Sequence, residues 1–429
     1  MPQMLPDRLL LTVLLACVLW VPMAHADAYA DARAELIATY QAGDFQAMRQ
    51  AAQDALDARP GYPGALFNRA LAETLDGDSA AALATLSGLV ISGVDFKVAD
   101  IEEFAPLLTS AAWPSYESAV AALNEPVGSA TIAYSQNTEN FIPEGIAIGA
   151  DGELYLGSIH LGLVLRVDDG VEILSDAAGH WSVFGMRLDD RGGLWFASAA
   201  VSEFAGSNNR NQGKTGIFRL DLNSNEITHR ALLPSSDTAM VLGDLVIVDE
   251  DTILATESLT GALYRYAIST EEFVQVVPPG ELRSMQGLAL DGTGDYLYVS
   301  DYVGGLFRVA LADYVVERLV ANDSITLFGI DGLYRYGNEL IAIQNGIRPH
   351  RVVALTLSSD GLDITGSRIL ARNLPEFDEP TLGVVVGDEF FFVANSHWNR
   401  FDREGNLPDS LTGPIVLKLS LLERSLERD

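Results

Sequence analysis

The chain has 429 residues, 48% of them hydrophobic, and a formal net charge of -32 at pH 7. That apolar content can bury a large core and excludes a disordered chain. No basic stripe offsets the acidic balance, which argues against nucleic acid or an anionic membrane surface as a partner and makes a cation welcome.

The first segment reads as an address. Leu9 to Val21 is an apolar run behind Arg8, and Ala24-His25-Ala26 has the small-x-small form of a signal-peptidase site. Residues 1–26 are therefore expected to be a signal peptide that directs the protein to the bacterial periplasm or beyond. The apolar run is too short for a comfortable membrane span, so no span is expected once the signal is removed. The single cysteine, Cys17, leaves with it, which removes disulfides, thiol nucleophiles and thiolate metal sites from consideration.

Residues 27–125 carry Ala, Leu, Gln and Glu at helical spacing with no alternating runs. Ala42-Gly43-Asp44-Phe45 and Asp76-Gly77-Asp78-Ser79 each lead into an apolar helix, at the tetratricopeptide period of about 34 residues. Such a short array cannot stand alone. It is expected to form a small tetratricopeptide-like cap that docks on the larger remainder of the chain, with a peptide or protein partner as its functional reading.

From residue 131 to 422 one pattern recurs: an apolar run, a tight turn, a second apolar run ending in small or polar residues, and a run closing on Arg or Lys beside an apolar residue. Pro143–Val167 is the first copy, and later copies are Phe184–Leu220, Gly243–Tyr266, Gln286–Val309, Asp331–Leu355 and Thr381–Leu419. Copies about 40–60 residues apart, each a set of short strands, are the signature of propeller blades. The expected fold is mainly β, a six-bladed β-propeller preceded by the small helical segment.

In a propeller the first strand of each blade lines the central channel. The repeat places Glu144, Phe184, Gly243, Gln286, Asp331 and Thr381 at the start of that strand, and Ser158, Ser198, Glu257, Asp301, Asn345 and Asn395 at the end of the next. Structural residues recur with the repeat, whereas site residues interrupt it. Two carboxylates and an amide do so here, and oxygen ligands converging on an axis are what a hard cation such as calcium requires. Glu144, Gln286 and Asp331 are the candidate ligands, with Asp244 and Asp301 near by. The competing reading is that these carboxylates merely solvate the channel mouth or cap loop backbone groups.

Pro143-Glu144-Gly145, Gln286-Gly287-Leu288 and Asp331-Gly332-Leu333 resemble the senescence marker protein/gluconolactonase family of six-bladed propellers, over the whole propeller. That resemblance implies one divalent cation, calcium first and zinc second, held by Glu144 and Asp331, with Gln286 where the family has Asn. It implies a lactone or ester as substrate and gives Asp244 the place of a substrate-binding Asn. The proton acceptor would be Asp331 or Asp301. No GxSxG elbow supports a serine triad.

His160 comes just after a strand end and is a candidate base or substrate contact. Arg348 and His350 are candidates for holding a substrate anion, and Trp398 for stacking on a ring. Each has an ordinary loop or packing role as its alternative. Glu203–Thr215 is long enough for a lid over the channel and equally fits an idle surface loop. The functional expectation is an exported metal-dependent hydrolase of lactones or related esters. The alternative is a non-catalytic ligand- or protein-binding propeller of the bacterial envelope.

Overall fold

The computed structural model describes residues 28–422, apart from 137, 176–177, 235, 237, 403–404 and 409. The expected signal peptide lies outside the described residues. Among these residues no helix is long and apolar enough to cross a membrane.

The N-terminal part is helical. Helix α1 spans Ala28–Ala42, α2 Phe45–Ala58, α3 Pro63–Leu75, α4 Ser79–Ile91 and α5 Trp113–Asn124. The two Gly-Asp pairs do the same work in both helical hairpins. Gly43 and Gly77 take the left-handed conformation, with φ of 71° and 85°, which glycine adopts without steric cost. Asp44 and Asp78 then cap the adjoining helix, accepting from Ala47 N at 3.0 Å and Ala81 N at 3.1 Å.

The rest is a ring of six sheets, five antiparallel and of four strands and one enlarged to six, in which Val320–Ala321 pairs in parallel with Asp363–Arg372. Innermost strands run Pro143–Ile148, Ser182–Leu188, Leu242–Ile247, Met285–Leu290, Ile330–Tyr336 and Gly383–Val386, and the last packs back against the first. Closure is by strand exchange. Thr131–Ser135, at the start of the propeller, forms the outer strand of the last blade against Ile415–Ser420, so both ends of the ring share one sheet. Val127–Gly128 joins the outer edge of the fifth blade.

The apolar runs are explained by position. Leu154–Ser158 is buried along its whole length because neighbouring blades cover both its faces, while the outer strand Glu226–Leu232 largely alternates. The core is divided among the interfaces between blades. Tyr155 with Phe196 and Phe218 fills the first, and Tyr334 with Phe390 and Phe392 fills the fifth.

The inner strands carry the feature that builds the site. In the first five blades the register slips once near the strand start, between Pro143 and Ile146, Val183 and Met186, Leu242 and Leu245, Met285 and Leu288, and Ile330 and Leu333. Such a bulge re-aims a side chain that regular pleating would bury between blades. The residues it re-aims are Glu144, Phe184, Gly243, Gln286 and Asp331. The second bulge residue is glycine in four of the five, because the next blade approaches it closely. A Cβ on Gly287 would collide with both Asp331 O and Leu333 N. Backbone cannot step aside as a side chain can, so Gly287→Ala is expected to lower stability by about 2–3 kcal/mol. A denaturant midpoint equal to the parent's would contradict this close packing.

Candidate functional site

The channel mouth collects acids from three blades. Glu144, on the first bulge, is buried, and its Oε2 accepts from Trp398 Nε1 at 2.9 Å. Burial pushes its pKa well above the usual carboxylate range, and the charge of Asp331 pushes it further. Thr381 also sits beside Glu144 and lowers its pKa, yet its buried hydroxyl closes no hydrogen bond of good geometry.

Asp331, on the fifth bulge, accepts from Asn345 Nδ2 at 2.6 Å through Oδ2, and Tyr302 donates to Asn345 Oδ1 at 2.9 Å. Burial raises Asp331 to about 7 against the lowering effect of Asn345, with Glu379 and Asp244 adding to the rise. Glu379 is itself raised, chiefly by burial, although Asn399 N donates to its Oε2 at 3.0 Å.

The other expected residues fall into distinct places. Gln286 lies on its bulge between two serines, donating to Ser284 Oγ at 3.1 Å and accepting from Ser258 Oγ at 3.5 Å. Asp244 occupies the slot left by Gly185 and is paired with Arg187 at 3.0 Å. Its pKa is nevertheless raised by burial. Trp398 comes directly to the acids, stacked over Phe184 at 6.1 Å. His160 stands further out, its Nδ1 2.6 Å from Glu203 O and its ring 5.8 Å from Phe401. Arg348 is exposed on the loop before His350, and its charge reaches Glu379.

Asp301 takes the loop-capping role that is the alternative to a catalytic one. Oδ2 accepts from Arg283 N at 2.7 Å, and Oδ1 accepts from Val303 N at 3.1 Å and Gly304 N at 2.8 Å. Glu257 does the same in the third blade, bonding Val241 N, Leu259 N and Thr260 N. The end of the second strand is thus a loop-tying position that most blades fill with some polar residue. In the fifth blade that position is Gln344, paired with Ile330, and not Asn345. The one-residue shift frees Asn345 to reach Asp331.

Two features have little signal in sequence. Glu379 lies two residues ahead of the aligned Thr381 and takes a φ of 66°, which places its carboxyl in the mouth. Trp398, Phe401, Leu407 and Leu411, from beyond the second strand of the last blade, pack on the apolar cluster of the first three blades. The long insertion after Ala199 lies beside His160, Ala205 N donating to His160 O at 2.9 Å.

Among the described residues no group of three or more His, Cys, Asp or Glu is placed to hold a metal. A cation here would draw on neutral oxygens as well. Glu144, Asp331 and the Thr381 hydroxyl offer oxygen donors only, the kind that calcium takes and copper does not favour, while the Gln286 amide is turned to Ser284 and Ser258.

No family model matches the chain, and no curated protein matches it. Similar solved structures include regucalcin, a calcium-binding protein from Agrobacterium tumefaciens, at 16% identity over 67% of this chain and 93% of that one, TM-score 0.46. A protein proposed to be a gluconolactonase matches at 13% identity over 68% and 91%, TM-score 0.45. The PQQ-bound aldose sugar dehydrogenase of Streptomyces coelicolor matches at 14% identity over 69% and 99%, TM-score 0.47.

Proposed function

We propose that the protein is an exported hydrolase of lactones or related esters that works with one divalent cation, calcium before zinc. The observation that supports this is the pair of acids, Glu144 and Asp331, brought from different blades to one channel mouth and each raised in pKa by its withdrawal from water. Groups so perturbed in a concave site are the kind that do chemistry.

Glu144, Asp331 and the Gln286 amide oxygen would hold the cation. When bound, it supplies Lewis-acid polarisation of a carbonyl and a lowered pKa for water. The chain's own residues do the rest. Asn345, fixed by Tyr302, orients the Asp331 carboxyl. Asp331 would be both a ligand of the cation and, through the carboxyl oxygen the cation leaves free, the acceptor of a proton from attacking water that is returned to the leaving alkoxide. Trp398 holds Glu144 in place and, with Phe184, gives an apolar wall that keeps bulk water from the reacting carbon.

Calorimetric titration of the full chain with calcium tests the reading. One saturable site is expected, weakened at least about 100-fold by Glu144→Gln or Asp331→Asn, because each removes a charged ligand from a small oxygen set. Absence of binding by the parent would move a second reading forward, a non-catalytic ligand-binding propeller of the envelope, which the aromatic-lined cleft between helices and propeller favours. A protein partner at the tetratricopeptide-like helices is part of that second reading.

A further inference from the structure

The helical segment and the propeller enclose a cleft of about 420 Å³ beside the acidic mouth. Tyr29, Tyr62 and Phe96 line it from the helices, and Tyr302, Phe328 and Asn345 from the fourth and fifth blades. Asn345 is the shared wall, since its amide also donates to Asp331.

Cations concentrate at this cleft. Arg33, Lys97 and Arg348 line it. Behind its walls, Arg59 lies 3.8 Å over the Tyr29 ring and Arg318 5.6 Å from the Phe328 ring. Five cations thus gather at one place in a chain that has 27 Lys and Arg and a net charge of -32. Of the acids near by, Glu379 is reached by the charge of Arg348 and Asp331 lies behind Asn345. Asp95 is buried and accepts from Lys97 N at 2.7 Å and Asn124 Nδ2 at 2.9 Å, and Asp301 is held by three backbone amides. Lys97 and Arg348 are exposed, and neither forms an ion pair among the described residues.

We infer that the cleft binds a small organic anion carrying an aromatic ring, and that it seats the charged end of the substrate while the reacting carbonyl lies at the acidic pair. The first part stands on the cleft alone; the second rests on the hydrolase reading. Aromatic walls supply stacking area for a flat ring, and the cations at the rim supply attraction and orientation for its charge. The volume suits a single-ring molecule and is small for a folded partner. The acidic field elsewhere repels the same anion, which concentrates it at this opening.

The test is calorimetry of the full chain with 4-hydroxybenzoate and with neutral 4-hydroxybenzyl alcohol, at low salt. One saturable site for the anion is expected, with the alcohol at least about tenfold weaker. Lys97→Gln and Arg348→Gln should each weaken the anion by about fivefold, Arg348→Lys should retain most of the affinity, and higher salt should weaken it further. Both positions are exposed, so these variants are expected to fold. Anion binding without calcium binding would uphold the cleft and remove only the hydrolase reading. No saturable anion binding, equal binding of acid and alcohol, or unchanged affinity in both cation variants would overturn the inference.

Discussion

Asp331→Asn is expected to be more stable than the parent at pH 8 in chelator, with the difference closing as pH falls toward 4. In the folded protein this carboxyl titrates at about 7, against 3.8 for the free group, mainly because burial disfavours its charge. Between those values the folded state holds more protons than the unfolded one, so stability falls as pH rises. The contribution is complete below about 3.8 and is lost through about 7. A shift of some three units sets a ceiling of about 4 kcal/mol, and the partial exposure of Asp331 makes about 2 kcal/mol the better expectation at pH 8. Melting across pH 4–8 checks it. Saturating calcium should flatten the parent's slope, since a cation then neutralises the acids that a proton otherwise must. A parent slope that rises with pH in this window would show that Asp331 ionises freely in the fold. The site would then store none of the destabilisation that functional sites commonly carry.

Blade number and blade order are legible in the sequence because each copy repeats its apolar runs and turn, and a repeat aligns itself. The bulge is legible only indirectly. Glu144, Gln286 and Asp331 stand out as interruptions at one aligned position, but nothing in their spacing reveals the register slip that turns them inward. Asp301 misleads for the converse reason: a loop-tying position accepts Ser, Glu, Asp or Gln, so a structural site can vary like a functional one. Glu379 and the Trp398 loop are illegible because each depends on a single local backbone path that is absent from the other copies. The cationic cleft is assembled from segments more than two hundred residues apart, Lys97 and Arg348 among them. No local pattern records such a meeting.

Arg351→Met is expected to loosen the helical segment from the propeller and to lower stability by about 3 kcal/mol. Arg351 is buried at the start of a fifth-blade strand, and every partner it has is a neutral oxygen. Nε donates to Gln344 Oε1 at 2.6 Å, Nη1 to Gly93 O at 3.3 Å and Nη2 to Ser92 O at 3.2 Å. The last two lie just beyond the C-terminal end of α4, where a cation also meets the negative end of the helix dipole. Burial without a carboxylate brings the guanidinium down to about 10, with Arg372 adding to the fall, so removing the charge relieves a real cost. Leaving three buried acceptors unpaired costs about 1–3 kcal/mol each, which exceeds that relief. Hydrogen exchange in Ser79–Ile91 should therefore accelerate in the variant before the inner strands respond. Gly93 supplies an internal check. A Cβ there would overlap Arg351 Nη1, and its φ is 84°. Gly93→Ala should thus be severe in the parent and milder beside Arg351→Met, where only the backbone strain is left. Additive effects of the two substitutions would mean that the contact between helices and propeller does not pass through this side chain.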